Sequence, residues 1–327
     1  MIYDNILQCI GNTPVVRLNK VGKEVAPTEL YGKCEFMNPG GSIKDRIAVR
    51  MIEGLEKAGT IGPGTTLIEA TSGNTGTGLA MVAAVKGYEL IITMPLKMSK
   101  EKQVVMEALG AEIIRTRTEA GHDDPDSLFG VAQRLNREIE NSCIPNQYNN
   151  PDNPNAHYHG TGPELWNDFG DELDMLVLTA GTGGTVTGTA KFLKEKNPNI
   201  RVIGVDPEGS VLGGRSEVHT YQVEGIGYDF IPDVLDRSLV DDWIYVNDQQ
   251  CFSTARRLIS EEGLLIGGSS GGAVWAMIEA VKKYPKTRKA VAILPDSIRN
   301  YMSKFVSDEW MNEKGFPVEE KKSAQHR

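Results

Sequence analysis

The chain has 327 residues, 40% hydrophobic and 24% charged with a net charge of −9, enough for about two globular domains and unlike a fibre or a disordered tail. An acidic balance offers no basic surface for a phosphate backbone, which argues against a nucleic-acid partner. The four cysteines, Cys9, Cys34, Cys143 and Cys251, form no C-x-x-C pair, and no basic leader or long apolar run appears, so the reading is a reduced, soluble, cytoplasmic chain with no metal site and no membrane span.

In chain order, NPGGSIKDR (38–46) opens a helix with a core face of Ile47, Met51 and Leu55. TTLIEA (65–70) reads as a strand leading through TSGNTG to the helix GLAMVAAVKG. ELIITM (89–94) is the next strand, followed by a charge-rich helix in which Lys102 reads as solvated and Gly110 as the stop. AEIIRT (111–116) is a further strand, and the Asn- and Pro-rich stretch 146–162 reads as a linker or ligand-facing loop marking the main boundary. Beyond it, DMLVLTA, the loop GTGGTVTG, the helix TAKFLKEK and the strand RVIGVDP (201–207) repeat the pattern, and LLIGGSSGGAVWAMIEAVKKY with KAVAILPD continues it. Strands of β-branched residues alternating with Gly-rich turns and helices predict an α/β fold with parallel sheets. The final residues, EKGFPVEEKKSAQHR, read as a frayed tail.

Four sites carry chemistry. Ser42 can cap the first helix, which puts Lys44 in its first turn, where the positive end of the helix dipole disfavours an ammonium and lowers the pKa. A lysine with an accessible neutral amine suits Schiff-base chemistry, and a surface lysine in a capped turn is the plainer alternative. TSGNTG (71–76), GTGGT (181–185) and GGSSGG (267–272) are three Gly-rich loops, each able to offer backbone N–H groups to an anion at a helix start. Hydroxyls on Thr71, Ser72 and Thr75 suit a carboxylate, whereas the nearly bare GTGGT suits a phosphate. No dinucleotide fingerprint or Walker motif is present. GGSSG also fits G-x-S-x-G, with Ser269 as a hydrolase nucleophile, but only His326 follows it. His157 and His159 lack a third ligand at metal spacing and read as loop or helix-start histidines.

Together, Lys44 in NPGGSIKDR, TSGNTG, GTGGT and GGSSG, in this order, resemble the fold type II pyridoxal 5′-phosphate (PLP) enzymes, across roughly Asn5 to Trp310. EGIGYDFIPDVLDR (224–237), KMSKEKQVVMEALGAEIIRT and ILPDSIRNYMSKFVSDEWM are similar to the cystathionine β-synthase branch rather than the O-acetylserine sulfhydrylase branch. The resemblance implies two three-layer αβα domains with open, mostly parallel sheets, tryptophan synthase β-like. A smaller domain would span 38–149 and a larger PLP-binding domain 13–37 plus 150–312, with a disordered tail at 313–327.

It further implies PLP as a Schiff base on Lys44, Asn74 on the cofactor's 3′-oxygen, Gly181, Thr182, Gly183, Gly184 and Thr185 around its phosphate, and Ser269 at the pyridine nitrogen. Thr71, Ser72, Gly73 and Thr75 would hold the substrate carboxylate. Gln147, Tyr148, Gly225, Gly227 and Tyr228 would shape the substrate site, with Lys44, Ser269 and Tyr228 the catalytic set. The implied reaction joins L-serine to L-homocysteine in a homodimer acting on small amino acids. The alternatives are cysteine synthesis from sulfide, sulfide release, or a silent PLP-binding relative. The chain begins and ends with the family's catalytic core, so neither haem nor regulation by S-adenosylmethionine is expected.

Overall fold

The computed structural model describes residues 2–71, 73–96, 100–118 and 124–318. β1 (Val15–Arg17) and β2 (Glu29–Cys34) lead to α1 (Lys44–Lys57). Strand and helix then alternate through β3 (Thr66–Ala70), α2 (Asn74–Lys86), β4 (Glu89–Pro95), α3 (Lys100–Ala108), β5 (Glu112–Thr116), α4 (Leu128–Glu138) and β6 (Ser142–Cys143). The second half comprises α5 (Asp152–Ala156), α6 (Gly162–Phe169), β7 (Met175–Thr179), α7 (Gly184–Lys196), β8 (Arg201–Pro207) and β9 (Asp242–Val246). It closes with α8 (Asp248–Glu262), α9 (Gly268–Lys283), β10 (Lys289–Leu294) and α10 (Asp308–Glu313).

Two sheets result, a six-stranded one in the order β1-β2-β10-β7-β8-β9 and a four-stranded one in the order β5-β4-β3-β6. Only β1 runs antiparallel to its neighbour; the other pairs are parallel. Because successive strand residues face opposite sides, each sheet divides its apolar residues between two cores. On β7 and β10, Met175, Val177, Ala290 and Ala292 pack with α8 and α9, while Leu176, Leu178, Val291 and Ile293 pack with α6 and α7. On β3 and β4, Leu67, Leu90 and Ile92 meet α1 and α2, while Ile68 and Ile91 meet α4. Each sheet is therefore the middle of an αβα sandwich.

The strand order creates a crevice. From β7 the chain crosses by α7 to β8 on one side and returns by α8 and α9 to β10 on the other, so the connections diverge between β7 and β10. In the small sheet they diverge between β3 and β6 in the same way. Ligands of open parallel sheets bind beyond the carboxyl ends of strands at such points. Here both points border one cavity, through Leu178, Thr179, Ile293 and Pro295 of the large sheet and Thr71, Gln147 and Tyr148 of the small one.

Three local expectations are corrected. Residues 152–169 are helical throughout: α5, a single π-helical turn (His157–Thr161) and α6. Asn150 Oδ1 accepts from Asp152 N at 2.9 Å, which starts the helix despite the Asn and Pro content. GGSSG does not follow a strand; Gly263, at φ 74°, ends α8, and α9 begins five residues after it with only an isolated bridge at Ile266 between. Lys102 is buried and pairs with Glu224. All four cysteines are free thiols, and no helix of the described residues is long and apolar enough to cross a membrane.

Candidate active site

Lys44 is the first residue of α1, and the Ser42 hydroxyl accepts from its backbone N at 3.2 Å. The segment before it is zipped onto the chain leaving β10. Ile43 N donates to Pro295 O at 2.8 Å, Ser297 N donates to Gly41 O at 3.0 Å, and Ser42 bridges Asp296. That docking carries Lys44 to the carboxyl end of the large sheet, where it borders a cavity of about 560 Å³. By area the side chain is half-buried because it faces the cavity. Protein nevertheless surrounds the amine densely enough that burial lowers its pKa to about 8, against the opposing pull of Asp296. The expected direction of the shift is therefore present, with desolvation as its cause. Among the described residues no carboxylate forms an ion pair with Lys44.

The loop 181–185 joins β7 to α7. Gly183 adopts φ 93°, a region that L side chains rarely occupy, and a Cβ there would lie 2.4 Å from that of Leu235. Gly181, Thr182, Gly183 and Thr185 line the cavity; Gly184 instead faces Asn153, whose Oδ1 would sit 1.9 Å from an added Cβ. The first N–H groups of α7 have no intrahelical acceptor and, with the helix dipole, favour an anion. Ser269, second residue of α9, borders the same cavity, and among the described residues no protein group, an imidazole included, bonds its hydroxyl. The hydrolase alternative therefore has no base bonded to its nucleophile.

Across the cleft, Thr71, Gly73, Asn74 and Thr75 line the cavity at the start of α2; Ser72 lies outside the described residues. Thr75 Oγ1 donates to Gln147 Oε1 at 2.7 Å, so these two act as a pair. Gln147 is held by Glu69, whose carboxylate accepts from the backbone N of Asn146 at 2.9 Å and of Gln147 at 3.2 Å. The Tyr148 and Tyr228 hydroxyls meet at 3.2 Å, and Phe129 and Phe230 pack edge-on or tilted around them, giving the cavity an aromatic wall. Gly225 and Gly227 also line it, and Gly227 N donates to Ala180 O at 2.8 Å.

Several site groups have no motif to announce them. Asp296, buried just beyond β10, accepts from Asn74 Nδ2 at 2.8 Å and from the Tyr301 hydroxyl at 2.6 Å. Asn300 Nδ2 donates to Asn74 Oδ1 at 2.9 Å, so both ends of the Asn74 amide are held. Glu224 bridges Lys102 of α3 to Lys304 at the cavity rim. The one available signal for Asp296 is its place directly after a parallel strand, where ligand-facing residues gather. His157 and His159 join no group that could hold a metal among the described residues.

A parallel αβα fold that brings a half-buried, unpaired lysine and a Gly-rich helix start to one crevice has the layout of an enzyme that condenses a carbonyl ligand and binds its anionic group. The family profile "Pyridoxal-phosphate dependent enzyme" matches residues 6–296, and the chain belongs to that family. It is 57% identical over 98% of its length to cystathionine beta-synthase of Oryctolagus cuniculus, and it spans 60% of that relative's length. Among solved structures, a hydrogen sulfide-producing enzyme from Fusobacterium nucleatum superposes with a TM-score of 0.87 at 39% identity, covering 92% of this chain and 98% of that one. The O-acetylserine dependent cystathionine beta-synthase from Helicobacter pylori superposes with a TM-score of 0.85 at 40% identity, covering 93% and 98%.

Proposed function

We propose that this chain carries PLP on Lys44 and replaces the β-hydroxyl of L-serine with the sulfur of L-homocysteine, releasing cystathionine and water. The observation that carries the reading is the Lys44 amine, unpaired and lowered to about 8, in one cavity with the 181–185 loop and Ser269. Similarity to the rabbit enzyme over nearly the whole chain supports the choice of substrates.

The residues present fit the cofactor. Lys44 would bind its aldehyde, and the α7 N-terminus with Thr182 and Thr185 would hold its phosphate. Ser269 has a free hydroxyl for the ring nitrogen. Asn74 spends one amide hydrogen on Asp296, which leaves the second for the ring oxygen. When bound, PLP supplies an electron sink that acidifies the substrate Cα–H. Lys44, released by the incoming serine, takes that Cα proton as a neutral amine. The resulting ammonium then protonates the departing β-hydroxyl, which leaves as water. As the thiol sulfur bonds to Cβ it gives its proton to the again-neutral Lys44, which then delivers that proton to Cα. The N–H groups at the start of α2 orient the substrate carboxylate, and the wall of Tyr148, Tyr228 and Phe230 excludes water from Cβ. The chain would act in the cytoplasm as a homodimer, divided into the domains 38–149 and 13–37 plus 150–312.

The test compares donors and acceptors on purified protein while following the visible absorption of the bound cofactor. Serine should shift the band, homocysteine should return it, and cystathionine should accumulate. Turnover confined to O-acetylserine or to sulfide would replace this reading by the one that the Helicobacter and Fusobacterium neighbours suggest. A colourless protein that PLP cannot restore would overturn both.

A further inference from the structure

Behind the 181–185 loop lies the helical segment 152–161, of which the buried Asn153 and His157 bond the loop threonines. Asn153 Nδ2 donates to the backbone O of Gln147 at 2.6 Å and to Thr182 Oγ1 at 3.0 Å. The Gln147 carbonyl can only accept, so the amide orientation is forced, and Thr182 must be the acceptor in the second bond. Its own hydroxyl hydrogen is then free for the cavity. The Asn153 Oδ1 is buried without a protein partner and sits against Gly184.

One turn further on, His157 is fully buried, with Nδ1 2.9 Å from Thr161 Oγ1 and Nε2 3.2 Å from Thr185 Oγ1. The ring is clamped. A Cβ on Gly188 of α7 would lie 2.8 Å from the His157 Cβ and 2.0 Å from Pro154 O, so α7 lies directly on this segment. Burial, with the nearby charges of Arg46 and Lys44, pushes the His157 pKa well below its ordinary value, so the ring is neutral. A neutral imidazole has one N–H and one lone pair, so its two threonine partners cannot play the same role. Were Thr185 to donate to Nε2, only its lone pairs would face an anion in the loop. Were Nε2 to carry the hydrogen, Thr185 would accept from the ring and direct its own hydrogen outward.

We propose that Asn153 and His157 are positioning residues that donate to Thr182 and Thr185, fixing both threonine hydroxyls as donors toward the phosphate of the cofactor. The assignment rests on the reading that the 181–185 loop holds that phosphate. His157 accordingly carries its hydrogen on Nε2 and accepts from the Thr161 hydroxyl at Nδ1. The 157–161 π turn sets this geometry, with Gly162 N bonding back to His157 O in place of the usual α-helical step. The two donors act through the threonines and touch no reacting atom.

The test is a double-mutant cycle on the holoprotein, read as the rate of PLP release and the 31P signal of the bound phosphate, together with the 15N signals of His157 in the wild type. His157→Phe should speed release about tenfold and Thr185→Val should do the same. The double variant should release PLP no faster than Thr185→Val alone, because the histidine works through that hydroxyl. His157→Gln, which can place an N–H near the Nε2 position, should restore retention. A hydrogen on Nδ1, or release rates that multiply in the double variant, would overturn the proposal. Reducing wild-type holoprotein with borohydride and mapping the modified peptide separately decides whether PLP sits on Lys44. Failure of the cofactor reading therefore shows in the wild type, and failure of this inference in the cycle.

Discussion

Asn74 and Asp296 are 222 positions apart in sequence, yet the Asn74 amide donates to the Asp296 carboxylate at 2.8 Å and so ties the start of α2 to the end of β10. The bond joins the two sheets across the cavity and selects the amide face that meets a ligand. Asp296→Ala would leave the Asn74 amide and the Tyr301 hydroxyl without their acceptor, a loss of about 10- to 100-fold in turnover for a charge-assisted bond. Asp296→Asn can still accept one bond and should lose less. Both substitutions remove the charge that raises the Lys44 pKa, so the rising limb of the pH–rate profile, where the Lys44 amine becomes neutral, should move to lower pH. Equal turnover in the three proteins would show that the Asn74 orientation does not matter.

Ser269 offers the cavity a neutral hydroxyl. Ser269→Asp places a carboxylate there, which would hold a proton on a bound ring nitrogen and change the electron demand of the cofactor. Turnover should fall by at least about tenfold, while cofactor absorbance per protein stays the same. An active Ser269→Asp protein would remove Ser269 from the site.

Arg46, two residues beyond Lys44, anchors α1. Its guanidinium bonds Glu35 Oε2 at 2.7 Å and Glu164 Oε1 at 2.7 Å, and Lys33 Nζ reaches Glu164 Oε2 at 2.7 Å. Burial alone would push the Glu164 pKa up, but the bonds to Arg46 and Lys33 outweigh it and hold it down at about 2. Arg46→Met removes one partner and strands buried carboxylates, so it should cost about 3–5 kcal/mol in unfolding experiments. A thermal midpoint within a degree of wild type would refute the buried network.

Two carboxyls make stability depend on pH. Burial raises Glu69 from 4.5 to about 7 and Asp45 from 3.8 to about 7. A group with a raised folded pKa keeps its proton in the folded state where the unfolded chain has released it. Its stabilising contribution is complete below the unfolded value and is lost as pH rises through the folded one. The thermal midpoint should therefore fall from about pH 5 to about pH 7, with a slope of up to roughly 1.4 kcal/mol per pH unit for each group. Glu69→Gln and Asp45→Asn should each flatten their share of that slope. A midpoint that rises across this window would contradict the protonated state.

Much of this molecule was legible in the residue order, because strand and helix carry different periods. The strands at 65–70, 89–94, 111–116 and 201–207 are found within a residue or two of their expected limits, as is the start of α1 at Lys44. Short, nearly continuous β-branched runs mark strands buried on both faces, as in parallel sheets, without any knowledge of what packs on them. Less legible was the helix at 152–169, whose Asn and Pro residues favour loops locally. The Asn150 turn that precedes it and burial against α7 outweigh that propensity.

The chain by itself determined the α/β class, the lysine at a helix start and the Gly-rich turns, since each follows from local spacing and backbone freedom. Tertiary structure alone decided which faces converge: that 41–43 docks on 295–297, that Asp296 holds Asn74, that Lys102 is buried against Glu224, and that His157 backs Thr185. Those pairs lie 28 to 256 residues apart. Contacts at that range depend on strand order, and strand order is set by how the two sandwiches close their cores rather than by any local pattern.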